Sequence, residues 1–277
     1  MSDESQFEAK PVYLLPIFGS LMFGLACAYL LIVTTSPFTP IVTPFPETPT
    51  GTFSNALYFV IIIALGATIF YFLLKWKSKK MITALTSFAL TAASVLLSLY
   101  FLWLLISPFP YAELYVIILT IIITILFDLA IFKAGGKVAN VAIVGLGGAL
   151  GVFLGNAIPV WSAILILAFL AVYDIIAVYK GPVGKIAESG IDELKGLSYA
   201  FKEIQMGLGD LVFYSMLCAV MLLNYGWVSY FASLAGTLGG SFVTFKILEK
   251  KGIFPGLPVP ILLGLSLGLL GSLLPIL

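Results

Sequence analysis

Two residues of this chain have the type and setting to do chemistry. Asp174 lies in Ala171-Val172-Tyr173-Asp174-Ile175-Ile176-Ala177-Val178-Tyr179, and Asp210 lies in Gly207-Leu208-Gly209-Asp210-Leu211-Val212-Phe213-Tyr214. Both runs are apolar. An ionised carboxylate in hydrocarbon costs roughly 3 kcal/mol even on lenient insertion scales, so each needs a partner and is a functional candidate by default. Two carboxylates in one poorly solvated site cannot both ionise readily; they share a proton and titrate as a pair. One can then take a proton from water while the other gives one to a carbonyl oxygen, which is acid–base hydrolysis of a peptide bond. The same pair could instead relay protons or cations, as in a transporter or leak channel, and in a purely structural scaffold neither would act.

Other catalytic groups are scarce. The chain has no histidine, which removes the HExxH zinc site and the Ser-His and Cys-His nucleophile pairs. Cys27 and Cys218 both fall in apolar segments, where a thiol is a small buried hydrophobe. No metal, disulfide or cofactor framework is expected. A net charge of +1 gives no basic face for nucleic acid.

What must hold the aspartates is a set of membrane helices. Of 277 residues, 61% are apolar and 10% charged, and the mean hydropathy is +1.14, outside the range of water-soluble globular domains. The expected fold is an all-α polytopic membrane protein in a single domain, residues 1–277. Runs long enough to cross a bilayer, about 17 to 25 residues each, give nine spans near 12–34, 55–74, 81–106, 111–132, 138–156, 158–179, 207–224, 226–246 and 255–276, in a multi-pass protein of the cell membrane. The acidic start of the chain, with Asp3, Glu4 and Glu8, lacks the basic region of a cleavable signal.

Positive charge collects in cytoplasmic loops. The basic residues are all lysines, at 10, 75, 77, 79, 80, 133, 137, 180, 185, 195, 202, 246, 250 and 251. Nine spans put every one on the same side, so the N-terminus is expected in the cytoplasm and the C-terminus outside. The exported stretch 34–52, rich in Thr and Pro, is expected to be irregular, as a connector or a lid. Gly147, Gly151 and Gly155 in the fifth span, and Gly264 and Gly268 in the ninth, predict close helix contacts. The cytoplasmic loop 180–206 mixes charge with apolar residues, either as an amphipathic surface segment or as a mobile element beside the site.

That topology fixes depth. Asp174 precedes Lys180 by six residues, about 9 Å of helix, and Asp210 follows Lys202 by eight, about 12 Å on the same rise. The two can meet in one layer. A third irregular stretch, Pro255-Gly256-Leu257-Pro258-Val259-Pro260, enters that layer from the cytoplasmic end of the ninth span. Asp128 is a third acid near that side, expected to snorkel toward Lys133 or Lys137.

At Tyr173-Asp174, Gly207-Leu208-Gly209-Asp210 and Pro255-Gly256-Leu257 the chain resembles the presenilin and signal peptide peptidase family of intramembrane aspartyl proteases. That family carries YD, GxGD and PAL motifs on its sixth, seventh and ninth spans, and the surroundings are more similar to presenilin, in a short form of archaeal type. Gly256 stands where the motif has Ala. The resemblance implies an intramembrane aspartyl endopeptidase with Asp174 and Asp210 catalytic, and with Tyr173, Gly207, Leu208, Gly209, Pro255, Gly256 and Leu257 at the substrate. It implies substrates that are transmembrane helices in the lipid bilayer and requires no cofactor. It leaves open self-cleavage in 180–206, a homo-oligomer and accessory subunits. A substrate helix must unwind before attack, and its freed backbone could pair by strand addition beside residues 255–257 or the 180–206 loop, with Gly207 and Gly209 permitting close approach.

Overall fold

In hydrocarbon every backbone N–H and C=O must be paired within the chain, so the apolar runs become helices. The computed structural model describes residues 8–34, 41–76, 79–179, 198–201 and 204–274. A 3-10 turn, Pro11–Leu14, leads into α1 (Leu15–Thr34); then come α2 (Pro49–Lys75), α3 (Lys79–Ile106), α4 (Ala112–Asp128), α5 (Gly136–Ala157) and α6 (Val160–Tyr179). After them follow β1 (Ser198–Phe201), β2 (Ile204–Gly207), α7 (Leu208–Tyr225), α8 (Trp227–Lys251) and α9 (Pro258–Ser272). Eight of these helices are long and apolar enough to cross a membrane, so the chain is a polytopic membrane protein. The ninth, α9, has 15 residues, about 22 Å of helix against a hydrocarbon core of about 30 Å.

Two helix starts differ most from expectation. The ninth helix starts at Pro258 rather than 255 because Pro255-Gly256-Leu257 stays outside it. The second starts at Pro49, with proline at a helix start where its missing N–H costs nothing. The all-α reading needs one addition: β1 and β2 form an antiparallel hairpin pairing Ser198 with Gly207 and Phe201 with Ile204. Residues 180–197, and with them most of the expected cytoplasmic loop, lie outside the described residues.

α7 is the central helix. It is apolar on all sides, as an interior helix must be, and twelve of its residues are buried, from Leu208 through Leu222. It packs on α5, α8, α1, α9 and α6. Lipid supplies no hydrophobic drive for such packing, so close approach depends on small residues. A Cβ at Gly147 would lie 2.8 Å from Leu211 Cβ, and one at Gly151 would lie 2.7 Å from Met216 N. One at Gly155 would lie 3.0 Å from Ala219 Cβ. The Ser215 hydroxyl of α7 donates to Gly148 O of α5 at 2.8 Å. α8 and α9 meet by the same device: a Cβ at Gly240 would reach Pro260 Cα at 2.6 Å, and one at Gly264 would reach Thr237 Oγ1 at 2.5 Å.

The described part of the stretch expected to be exported, residues 41–52, is tied down rather than irregular throughout. Asn55 of α2, fully buried, donates to Phe45 O and to Ser162 Oγ of α6, both at 3.0 Å, and accepts Phe45 N–H at 3.0 Å. Glu47 Oε1 accepts the Trp161 N–H at 3.0 Å, an acid at the N-terminus of α6 where the helix dipole favours it. Val42 N–H donates to Ala157 O at 3.1 Å. One strap thus joins the starts of α2 and α6 to the end of α5.

Candidate active site

The site is assembled at three helix ends. Asp174 stands five residues before the end of α6, and Asp210 is the third residue of α7. The segment 255–257 precedes α9, whose first and third residues are Pro258 and Pro260. These prolines bring no N–H to the first turn, so few backbone donors remain at this end, among them those of Gly256 and Leu257.

Those donors go to Asp174. Leu257 N–H bonds Asp174 Oδ2 at 2.9 Å, and the Gly256 N–H is directed at the same carboxylate. Asp210 lies against the other side of that backbone: a Cβ on Gly256 would stand 2.8 Å from Asp210 Oδ2 and 3.2 Å from Asp210 Cγ. Asp210 also receives the Gly207 N–H, and its charge interacts with that of Asp174. Both carboxylates therefore converge on the peptide unit between Gly256 and Leu257, and both are partly buried. The absent side chain at 256 leaves the room that Asp210 occupies.

Sequence reasoning passed over Tyr214. Its hydroxyl donates to Gly256 O at 2.7 Å, and the side chain is 1% exposed. Four residues separate it from Asp210, which places both on one face of α7; that spacing was the available signal. Tyr214 and Asp174 thus hold the Gly256–Leu257 peptide unit at its carbonyl and its N–H, and Asp210 lies against Gly256.

The other expected site residues divide. Pro255 and Leu257 are buried, Tyr173 and Gly207 are partly buried beside the carboxylates, and Leu208 is packed into the core. Gly209 is exposed. Neither Gly207 nor Gly209 has a positive φ. Among the described residues an added Cβ would meet nothing nearer than 3.9 Å at Gly207 and 3.8 Å at Gly209. Those residues do not require glycine at either place, and they leave space beside Asp210 there.

Asp128 departs from expectation. It does not reach for Lys133 or Lys137; both its oxygens accept the Thr91 hydroxyl of α3, at 3.0 and 2.9 Å. It sits where α4 passes into a π-turn, Leu129–Ala134, remote in the chain from the layer just described. Among the described residues no group of three or more His, Cys, Asp or Glu side chains could hold a metal ion.

The whole arrangement has close relatives in fold. The backbone superposes on two crystal forms, C222 and P2, of a presenilin family intramembrane aspartate protease. For the first the TM-score is 0.68 at 19% identity, covering 95% of this chain and 99% of that one. For the second it is 0.66 at 19% identity, covering 93% and 95%. In sequence the chain is 30% identical over 121 residues to Presenilin-B of Dictyostelium discoideum, a stretch that makes up 39% of this chain but only 25% of that protein. Residues 27–193, more than half of the chain and including Tyr173-Asp174, match the family described as signal-peptide peptidase, presenilin aspartyl protease. With that match added to a fold of nine helices among the described residues, which brings two membrane aspartates onto one loop, the chain belongs to the presenilin and signal-peptide peptidase family.

Proposed function

We propose that this protein is an intramembrane aspartyl endopeptidase that hydrolyses peptide bonds within transmembrane helices of other proteins, with Asp174 and Asp210 as its catalytic pair. The observation that carries this reading is the convergence of both carboxylates on the Gly256–Leu257 peptide unit, with Leu257 N–H on Asp174 at 2.9 Å and Asp210 against Gly256 Cα. Of two acids this close in a site poor in water, one is ionised and the other protonated. The ionised carboxylate takes a proton from a water molecule as its oxygen attacks the scissile carbonyl carbon, and the protonated one donates to the carbonyl oxygen. The gem-diol then collapses: the C–N bond breaks, the amine leaves with a proton, and the pair returns to its one-proton state.

The surroundings fit a substrate in extended form. Open space beside Gly207 and Gly209 admits a second backbone. β2 ends at Gly207 and has one edge unpaired by β1, so an unwound substrate segment gains hydrogen bonds by adding to it as a strand. Tyr173, Leu208, Pro255, Gly256 and Leu257 would line that path. In this reading the N-terminus is cytoplasmic, the C-terminus lies outside, and water enters from the lysine-rich side, where α6 ends and α7 and α9 begin.

Purified protein incubated in H₂¹⁸O with a membrane-spanning peptide tests the reading. Two fragments are expected whose masses sum to substrate plus one water, with the heavy oxygen in the new carboxyl terminus. An intact peptide after prolonged incubation, with the protein still folded, would overturn it.

A further inference from the structure

The family chemistry leaves Asp128 unused, although a membrane carboxylate asks for a reason. Its surroundings supply one. Thr91 offers a single hydrogen to a carboxylate with about four acceptor positions, and among the described residues no lysine forms an ion pair with Asp128. The carboxylate keeps acceptor capacity for another donor. Directly after it α4 changes to the π-turn, closed by Gly135 N–H on Ala130 O at 3.0 Å. Such turns gather at functional sites.

Next to this acid begins an apolar groove of about 340 Å³ between α1, α3, α4 and α5, lined among others by Ser94, Leu105, Phe127, Val141 and Gly145. From Ser94 to Leu105 it follows eleven residues of α3, about 16 Å, close to the depth of one leaflet's hydrocarbon, about 15 Å. An acyl chain, apolar along its whole length, matches both that lining and that span. Its lysine-side end is polar: Thr91 lies one turn below Ser94 on the groove face of α3, carrying Asp128, and Lys137 lies one turn below Val141 on α5. Lys133 and Lys137 are both exposed.

We propose that this groove binds one phospholipid with a primary-amine headgroup: an acyl chain fills the apolar channel, the ammonium donates to Asp128, and the phosphate meets Lys137 and Lys133. A choline headgroup has the same charge and the same phosphate but no N–H to give, so Asp128 distinguishes the two. Neither Asp174 nor Asp210 takes part, and the site stands independently of the proteolytic reading.

Native mass spectrometry of the full-length protein, titrated with phosphatidylethanolamine and phosphatidylcholine of identical chains, reads the site directly. The wild type is expected to retain one ethanolamine lipid with roughly tenfold preference, the size of one charge-assisted hydrogen bond. Asp128→Asn abolishes that preference, and Lys137→Gln weakens both lipids. Gly145→Leu removes binding of both: a Cβ there meets nothing nearer than Phe23 Cε1 at 3.9 Å, so the larger side chain enters the groove without displacing backbone, and circular dichroism should be unchanged. Equal retention of the two lipids by the wild type, preference surviving in Asp128→Asn, or full binding by Gly145→Leu would each overturn the proposal. If Asp128→Asn fails to fold, the lipid comparison on the wild type and the Gly145→Leu result decide it.

Discussion

The Tyr214 hydroxyl is the smallest group on which the site geometry turns. It fixes the carbonyl of the same peptide unit whose N–H reaches Asp174, so Tyr214→Phe frees one side of the 255–257 segment while leaving the aromatic packing intact. Losing one such bond costs about 1 kcal/mol, and cleavage is expected to fall about fivefold, with kcat affected more than KM; an unchanged kcat would deny the residue a positioning role. Gly209 makes the opposite case. The fold has room for a side chain there and its backbone is ordinary, so Gly209→Val should keep its thermal unfolding midpoint within a few degrees. Its cleavage of a membrane peptide should drop at least tenfold, because the valine occupies the space a second backbone needs. Asp174 and Asp210 were conspicuous in the sequence because charge in hydrocarbon is expensive. Tyr214 was not, since a tyrosine in an apolar helix has many uses and only the fold shows which carbonyl it meets.

Elements were legible in proportion to how far lipid dictates them. Long apolar runs and lysine-bearing turns marked the helices, and the glycines at 147, 151 and 155 announced the α5–α7 contact that seats Asp210, because nothing else lets two backbones approach so closely. The hairpin at 198–207 was hidden, since β1 and β2 are four residues each and mix polar with apolar side chains without a clear period. The strap over α2 and α6 was hidden too: Asn55 reads as an ordinary polar residue near a helix start, and its partners Phe45 and Ser162 come from distant parts of the chain. Fully buried and with three hydrogen bonds, Asn55 supports more than one element. Asn55→Ala leaves the Phe45 N–H and C=O unpaired near the start of α6 and should destabilise the protein by about 2 kcal/mol, seen as a lower unfolding midpoint in detergent; an unchanged midpoint would show that the strap is held elsewhere.

At the scale of the molecule, a rigid interior of small residues surrounds α7, while the short α9 and the loop before it bring backbone polar groups to a depth where lipid would forbid them unless protein or water paired them. Asp174 supplies part of that pairing, and in the proposed mechanism it and Asp210 activate water. A dyad that works with a single shared proton loses activity when both groups are protonated and again when both are ionised, so kcat/KM should follow a bell-shaped pH profile with two macroscopic limbs; a single-limbed profile would mean only one of the acids titrates in the reaction. The most direct measurement of the central claim is cleavage of one membrane-spanning peptide by the purified wild type and by Asp174→Asn and Asp210→Asn separately, each shown to be folded by its unfolding transition. The account predicts fragments from the wild type and none above background from either variant, whereas undiminished cleavage by either would remove that aspartate from the chemistry and contradict the two-acid mechanism.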